Sequence, residues 1–227
     1  MLFRSTLQAA SYPNQNFSST GTSSIPDNTC TNPAINNIVV SGYNGVVNSS
    51  GITCTVNITH TYDGDINFML EAPNGDVIGL SDLAGGSGDN FVNTVFSDAG
   101  ANTVSSGTAP FTATFKPWQA LISSCTNSNK IGFGSIGGGT INPNGTWRLR
   151  VYDRFAQDVG TINSWSISFP SYTVPNPDCG PVTSTATSVS IGGGITVDAG
   201  IYSPVCANRS EEHTSELQSH SDLVCRL

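Results

Sequence analysis

Charge is scarce in this chain: only 11% of its 227 residues are Asp, Glu, Lys or Arg, under half the share usual for a globular domain. With 8 Lys and Arg and a formal net charge of −8, it is not built to hold a polyanion such as nucleic acid. No uninterrupted apolar run reaches the roughly 18 residues that a membrane-spanning helix needs. Helical periodicity is missing too, since apolar residues nowhere recur at three- and four-residue spacing over a long window. Histidine is nearly absent (3 in all), and no two cysteines have C-x-x-C spacing, so a zinc site has no ligand set. A nucleophile elbow, Gly-x-Ser-x-Gly, is missed at both Gly86-Ser87-Gly88 and Gly134-Ser135-Ile136, which argues against a serine hydrolase of that type.

What remains is Gly, Ser, Thr and Asn between short alternating runs, the composition of an extracellular β protein. Cys54, Val56 and Ile58 alternate with Thr55, Asn57 and Thr59. Ile66 to Leu70 and Val77 to Leu80 flank Asn74-Gly75, a strong hairpin turn. Phe91 to Phe96 and Phe111 to Phe115 follow, and Pro117, Trp118 and Leu121 read as a packed turn. Trp147, Leu149 and Val151 alternate with arginines, and Trp165, Ile167 and Phe169 with serines. These last two runs read as an antiparallel pair joined by a polar turn that Gly160 closes. About eight antiparallel strands without helices predict an all-β jelly-roll sandwich.

The predicted layout is a linker or the end of an upstream region over 1–23, the jelly roll over 24–170, and a linker with the start of a further β-like segment over 171–208. Residues 209–227 belong to neither: back-translated, Arg209 to Leu227 reproduces a short-read sequencing adapter, and they are set aside as non-native. Without them the charge is −6 and His60 is the only histidine. Met1 to Pro13 lacks the apolar core of a signal peptide, so the chain reads as a fragment of a longer protein.

Candidate chemistry is sparse. A Ser-His-Asp arrangement would have to use His60, which at a strand end reads as a structural hydrogen-bonder. Gly132 to Gly137 spells G-x-G-x-x-G, but the residues after it cannot form the helix that a phosphate loop requires. Asp63-Gly64-Asp65-Ile66-Asn67 begins like a calcium loop and then departs from the EF-hand pattern at Phe68. Asp63, Asp65, Asp98, Asp153 and Asp158 all fall at strand ends or in loops. Gathered at one end of a sandwich, they would need a cation such as calcium between them; scattered, they would cap turns through Asx hydrogen bonds. Cys30, Cys54, Cys125, Cys179 and Cys206 read as disulfide partners of a secreted protein, with Cys179–Cys206 one pairing in the tail.

Taken in order, ITHTYDGDINFMLEAPNGDVIGL, FVNTVFSDAG, FKPWQAL and NGTWRLRVYDRFAQDVGTINSWSISF resemble the P domain (Homo B domain) of proprotein convertases, over roughly Ser24 to Phe169. The resemblance implies a jelly roll that follows a subtilisin-like serine protease domain, packs on it, stabilises it and tunes its calcium and pH dependence. It implies a non-catalytic accessory domain of a secreted endopeptidase, whose partner is that catalytic domain in the same parent chain. By the same carry-over, Asp65, Asp98, Asp153 and Asp158 match family aspartates, and Trp147 and Trp165 match its core tryptophans. Ser97 stands where the family often has a second acid, and the excursion from Thr126 to Pro143 is longer than usual. The alternative is an adhesion or carbohydrate-binding sandwich of a modular cell-surface protein, since a jelly roll serves many functions.

Overall fold

The computed structural model describes residues 10–125, 127–174, 189–191 and 195–197. The chain divides into two compact units, Ser11–Val174 and a second made of Met1–Ala10 with Pro175–Leu227. In chain order the strands of the first are β1 (Ala10–Tyr12), β2 (Gln15–Ser18), β3 (Ser23–Ile25), β4 (Ala34–Val40), β5 (Val47–Asn48), β6 (Thr53–His60), β7 (Ile66–Glu71), β8 (Val77–Asp82), β9 (Phe91–Ser97), β10 (Thr114–Phe115), β11 (Thr140–Ile141), β12 (Gly145–Asp153), β13 (Gly160–Phe169) and β14 (Tyr172–Val174). In the second unit, β15 (Val189–Ile191) pairs antiparallel with β16 (Ile195–Val197). The adapter-like residues and a Cys179–Cys206 bridge lie outside the described residues.

Two sheets form the sandwich. A six-stranded sheet runs β10-β9-β6-β13-β2, with β3 also paired to β13, and a four-stranded sheet runs β4-β12-β7-β8. The chain changes sheet at β3–β4, β6–β7, β8–β9 and β12–β13, as a jelly roll does, and stays within one at β2–β3, β7–β8 and β9–β10. Alternation in sequence becomes alternation in space: Cys54, Val56 and Ile58 of β6, and Trp147, Leu149 and Val151 of β12, are all fully buried. A register shift between Ile162 and Ser164 lets β13 bury Ile162 and then Trp165, Ile167 and Phe169. Phe68 packs edge-on against Phe91 and Phe96 at 5.0 and 5.6 Å between the sheets.

Three expectations are corrected. The runs containing Trp147 and Trp165 do not pair with each other. β12 lies between β4 and β7, β13 pairs with β2, β3 and β6, and the two occupy different sheets. Residues 154–159 are long enough to cross the roughly 10 Å between stacked sheets. Secondly, the sandwich is not wholly antiparallel, because the short β10 runs parallel to β9. Thirdly, the packed turn after Pro117 buries Ile122, while Leu121 stays 55% exposed. Ile122 sits against Met69, Val77 and Tyr152 in a small second core outside the four-stranded sheet. Gly79 makes room for it, since a Cβ there would stand 2.6 Å from the Ile122 side chain.

A disulfide between Cys30 and Cys125 joins residues 95 apart and ties this strap to the sandwich. A third expected disulfide partner, Cys54, is instead a free thiol on the core face of β6, and burial raises its pKa far above the ordinary value. The stretch read as an incoming linker also contributes structure, through β2 and β3 on the edge of β13.

Candidate functional site

The end of β6, the short 3-10 turn Asp63–Asp65 and the β12–β13 connection meet at one end of the sandwich. His60 and Asp153 are both fully buried there, with Nε2 of His60 3.2 Å from Oδ2 of Asp153. The other Asp153 oxygen accepts the Phe155 N–H at 3.2 Å. Nδ1 of His60 faces the backbone of Tyr62, 2.8 Å from its carbonyl oxygen. The imidazole is therefore held on both sides by groups that are not nucleophiles, and the pair ties two connections together.

Asp65 and Asp158 approach within hydrogen-bonding reach. Burial first, and then the like charges of Asp153 and Asp158, raise the pKa of Asp65, while His60 opposes them. Burial likewise raises Asp153, offset by the Phe155 N–H and by His60. Asp158 accepts a hydrogen bond from Thr61 Oγ1 at 2.8 Å, and that same oxygen accepts the Val159 N–H at 3.0 Å. Two carboxylates so placed need a shared proton or a cation between them.

Asp63 stands apart, wrapped by the glycine-rich loop 83–90. Its own N–H donates to Gly88 at 2.8 Å, and the Gly64 N–H donates to Gly86 at 2.9 Å. The side chain is fully buried and neither carboxyl oxygen closes a hydrogen bond. Burial pushes its pKa up to about 7; Asp89 adds to this and the nearby Asn90 N–H works against it. A Cβ at Gly85 would stand 2.7 Å from the Asp63 Cβ, so the loop fits this closely only with glycine there.

Asp98 lies at the opposite end of the sheet. It follows Ser97, which pairs with Thr53 at the start of β6, whereas Asp63 follows the end of that strand. Its carboxylate accepts the N–H groups of Phe133 and Gly134 at 2.9 and 2.7 Å. This accounts for the G-x-G-x-x-G string: its backbone donors cradle an anion, but the anion is the chain's own aspartate. Phe133 and Ile136 are buried beneath, so the long excursion plugs this end of the sandwich.

Of the five aspartates read from the sequence, Asp65, Asp153 and Asp158 are brought together, Asp63 faces a different loop and Asp98 is remote. Among the described residues, no three His, Cys, Asp or Glu side chains converge closely enough to enclose a metal ion. The donors that do converge are carboxylate oxygens, which suit a hard cation. Asp65 and Asp158 are the two that approach each other, with Asp153 beside them and committed to His60 and Phe155. The tryptophans serve the core: Nε1 of Trp147 donates to Pro143 O at 2.9 Å and Nε1 of Trp165 to Asn36 Oδ1 at 3.0 Å. A cleft of about 520 Å³ opens beside this end between β3, β6 and loop 83–90. No motif marks it in the sequence, because its lining comes from separate strands.

The family described as Proprotein convertase P-domain matches residues 49–110 and 124–169. This chain belongs to the P-domain family. Leupeptin-inactivating enzyme 1 of Streptomyces exfoliatus is 34% identical over 159 residues, which cover 69% of this chain and 26% of that enzyme. A transglutaminase-activating metalloprotease of Streptomyces mobaraensis is 28% identical over 120 residues, 53% of this chain and 11% of its own. The chain thus spans about a quarter or less of these curated relatives. Among solved structures, an Aeromonas sobria serine protease crystallised with its chaperone aligns over 74% of this chain and 28% of its own, with 15% identity and a TM-score of 0.39. The P domain is a protease-associated β-sandwich module. The interruption of the family match at 111–123 falls where the strap leaves the sandwich. Its disulfide is of the kind that persists in oxidising, extracytoplasmic surroundings. Among the described residues no helix is long and apolar enough to cross a membrane.

Proposed function

We propose that this P domain is the non-catalytic module of a secreted endopeptidase of the subtilisin-like serine class, stabilising the catalytic domain of the same parent chain. The observation that carries the reading is a P-domain sandwich whose buried His60–Asp153 pair faces backbone rather than a nucleophile. The serine class rests on the resemblance to convertase P domains; a metalloprotease parent is favoured instead by the 28% identical Streptomyces relative. The test is to express the parent chain and assay peptide hydrolysis with a serine-directed inhibitor and, separately, with a zinc chelator. Loss of activity with the first supports the serine class. Loss only with the second assigns a metalloprotease parent, and a parent without proteolytic activity returns the module to the adhesion reading.

Calcium is the proposed cofactor, with Asp65 and Asp158 as ligands and Asp153 as the carboxylate that completes the negative end. When bound, the ion would neutralise carboxylates that otherwise repel one another. Calcium at about one hundred times its dissociation constant is expected to stabilise the domain by about 2.7 kcal/mol, and Asp65→Asn to abolish the gain. A melting temperature that ignores both added calcium and a chelator rejects the assignment.

A further inference from the structure

Charge is divided unevenly between the two sheets. The strands of the four-stranded sheet carry Glu71, Asp82, Arg148, Arg150 and Asp153, whereas β2, β3, β6, β9, β10 and β13 contain no Asp, Glu, Lys or Arg. A solvated sheet face ordinarily mixes charges of both signs, which also deter edge-to-edge association. The outer face of the six-stranded sheet has small neutral hydrogen-bonding groups in their place. Thr55, Asn57 and Thr59 of β6 lie opposite Ser166, Ser164 and Thr161 of β13. Ser18 and Ser24 extend two of these rows on β2 and β3. Neighbouring strands stand about 4.8 Å apart, and the register shift between Ile162 and Ser164 keeps Thr161, Ser164 and Ser166 opposite Thr59, Asn57 and Thr55. The hydroxyls of Ser24, Thr55, Thr161 and Ser166 have no hydrogen-bond partner among the described residues.

At one end the array runs into the 520 Å³ cleft, lined by Ser24, Thr59, Thr161, Asp89, Asn90 and Val159. Val159 is 67% exposed and offers an apolar surface. Asp89 and Asn90 add polar groups opposite it.

We propose that this face and its cleft bind a neutral polysaccharide chain lying along β6 and β13. A sugar hydroxyl both donates and accepts, as do the Ser and Thr hydroxyls, while the Asn57 amide is committed to Asn93 and Ser164. The C–H face of a pyranose ring can cover Val159 without stranding a charge. The array offers nothing to attract an anionic polymer, and Asp89 repels one. Each hydrogen bond exchanged with water contributes only about 1 kcal/mol, so binding depends on many contacts along an extended chain. The proposal does not depend on which protease the module accompanies.

The test uses the full chain, mixed with microcrystalline cellulose, chitin or an insoluble β-1,3-glucan, and with soluble alginate as an anionic control. Retention on at least one neutral solid is expected, and it should persist in about 1 M salt because no ion pairs are involved. Thr59→Lys and Ser24→Lys, both at exposed positions, should each lower the bound fraction about tenfold, a loss of about 1.4 kcal/mol, with an unchanged melting temperature. No retention on any neutral solid overturns the proposal. So does retention that survives both substitutions, or alginate binding of equal strength. Self-association that Thr59→Lys abolishes, without polysaccharide retention, would instead assign the face to a second copy of this chain.

Discussion

Asp63→Asn is expected to stabilise the domain above pH 7, by up to about 4 kcal/mol, and to leave it unchanged near pH 4. The buried carboxyl rises from 3.8 in the unfolded chain to about 7 in the folded one, so the folded state holds this proton more tightly. The stability that proton supplies is complete below about pH 4 and is lost as pH climbs through about 7. Asparagine keeps the shape of the side chain and removes the charge, so the variant escapes the loss. Asp65 and Asp153 are shifted in the same direction, and a shallower slope should therefore survive the substitution. Urea unfolding across this pH range, in a chelator to keep calcium out, is the measurement. Wild-type and variant curves that run parallel up to pH 8 would mean that Asp63 has a partner for its charge.

Trp165→Ala is expected to cost about 3–5 kcal/mol, the range for truncating a buried tryptophan. The side chain fills the space between the sheets at 2% exposure, and its indole nitrogen satisfies Asn36, itself only 8% exposed. Two penalties are therefore combined, a cavity and an orphaned buried acceptor. Trp165→Phe separates them, since it retains most of the bulk and leaves Asn36 Oδ1 unpaired, a loss of about 1–3 kcal/mol. Equilibrium unfolding of both variants reads the two terms. An alanine variant as stable as the parent would contradict the burial of this residue.

Strand positions were legible because a half-buried strand writes its two faces into alternate residues, as Cys54 to Ile58 and Trp147 to Val151 do. The identity of neighbours was not. Alternation around Trp147 and Trp165 reports which side is buried, and two runs close in sequence can face each other across a core as readily as lie edge to edge. The Asn74-Gly75 hairpin was legible since its local chemistry alone specifies the reversal: Gly75 has φ +86°, and the Asn74 side chain accepts the Asp76 N–H. Ile122 could not be told from Leu121, because a strap lying over a sheet has no fixed period.

The aspartates show the same limit. Their positions in loops were evident, yet Asp98 satisfies a glycine-rich turn 35 residues away in sequence, Asp153 anchors His60, and Asp63 lies beneath a loop with no partner. A carboxylate's role depends on which backbone N–H groups the fold aims at it, and sequence spacing does not carry that information. The neutral face on β6 and β13 was present as the Thr-x-Thr and Ser-x-Ser spacing of two segments about a hundred residues apart. Only their register brings the rows side by side.

β1 and β14 pair with each other, and Tyr12 stacks on Tyr172 with ring centroids 4.8 Å apart. The sandwich is thus joined to its flanking chain through two strands that touch. A force pulling the two strands apart would act on this short pair and the stacked tyrosines. The six- and four-stranded sheets have a larger set of backbone bonds. Such a pair would part under tension before the folded core does.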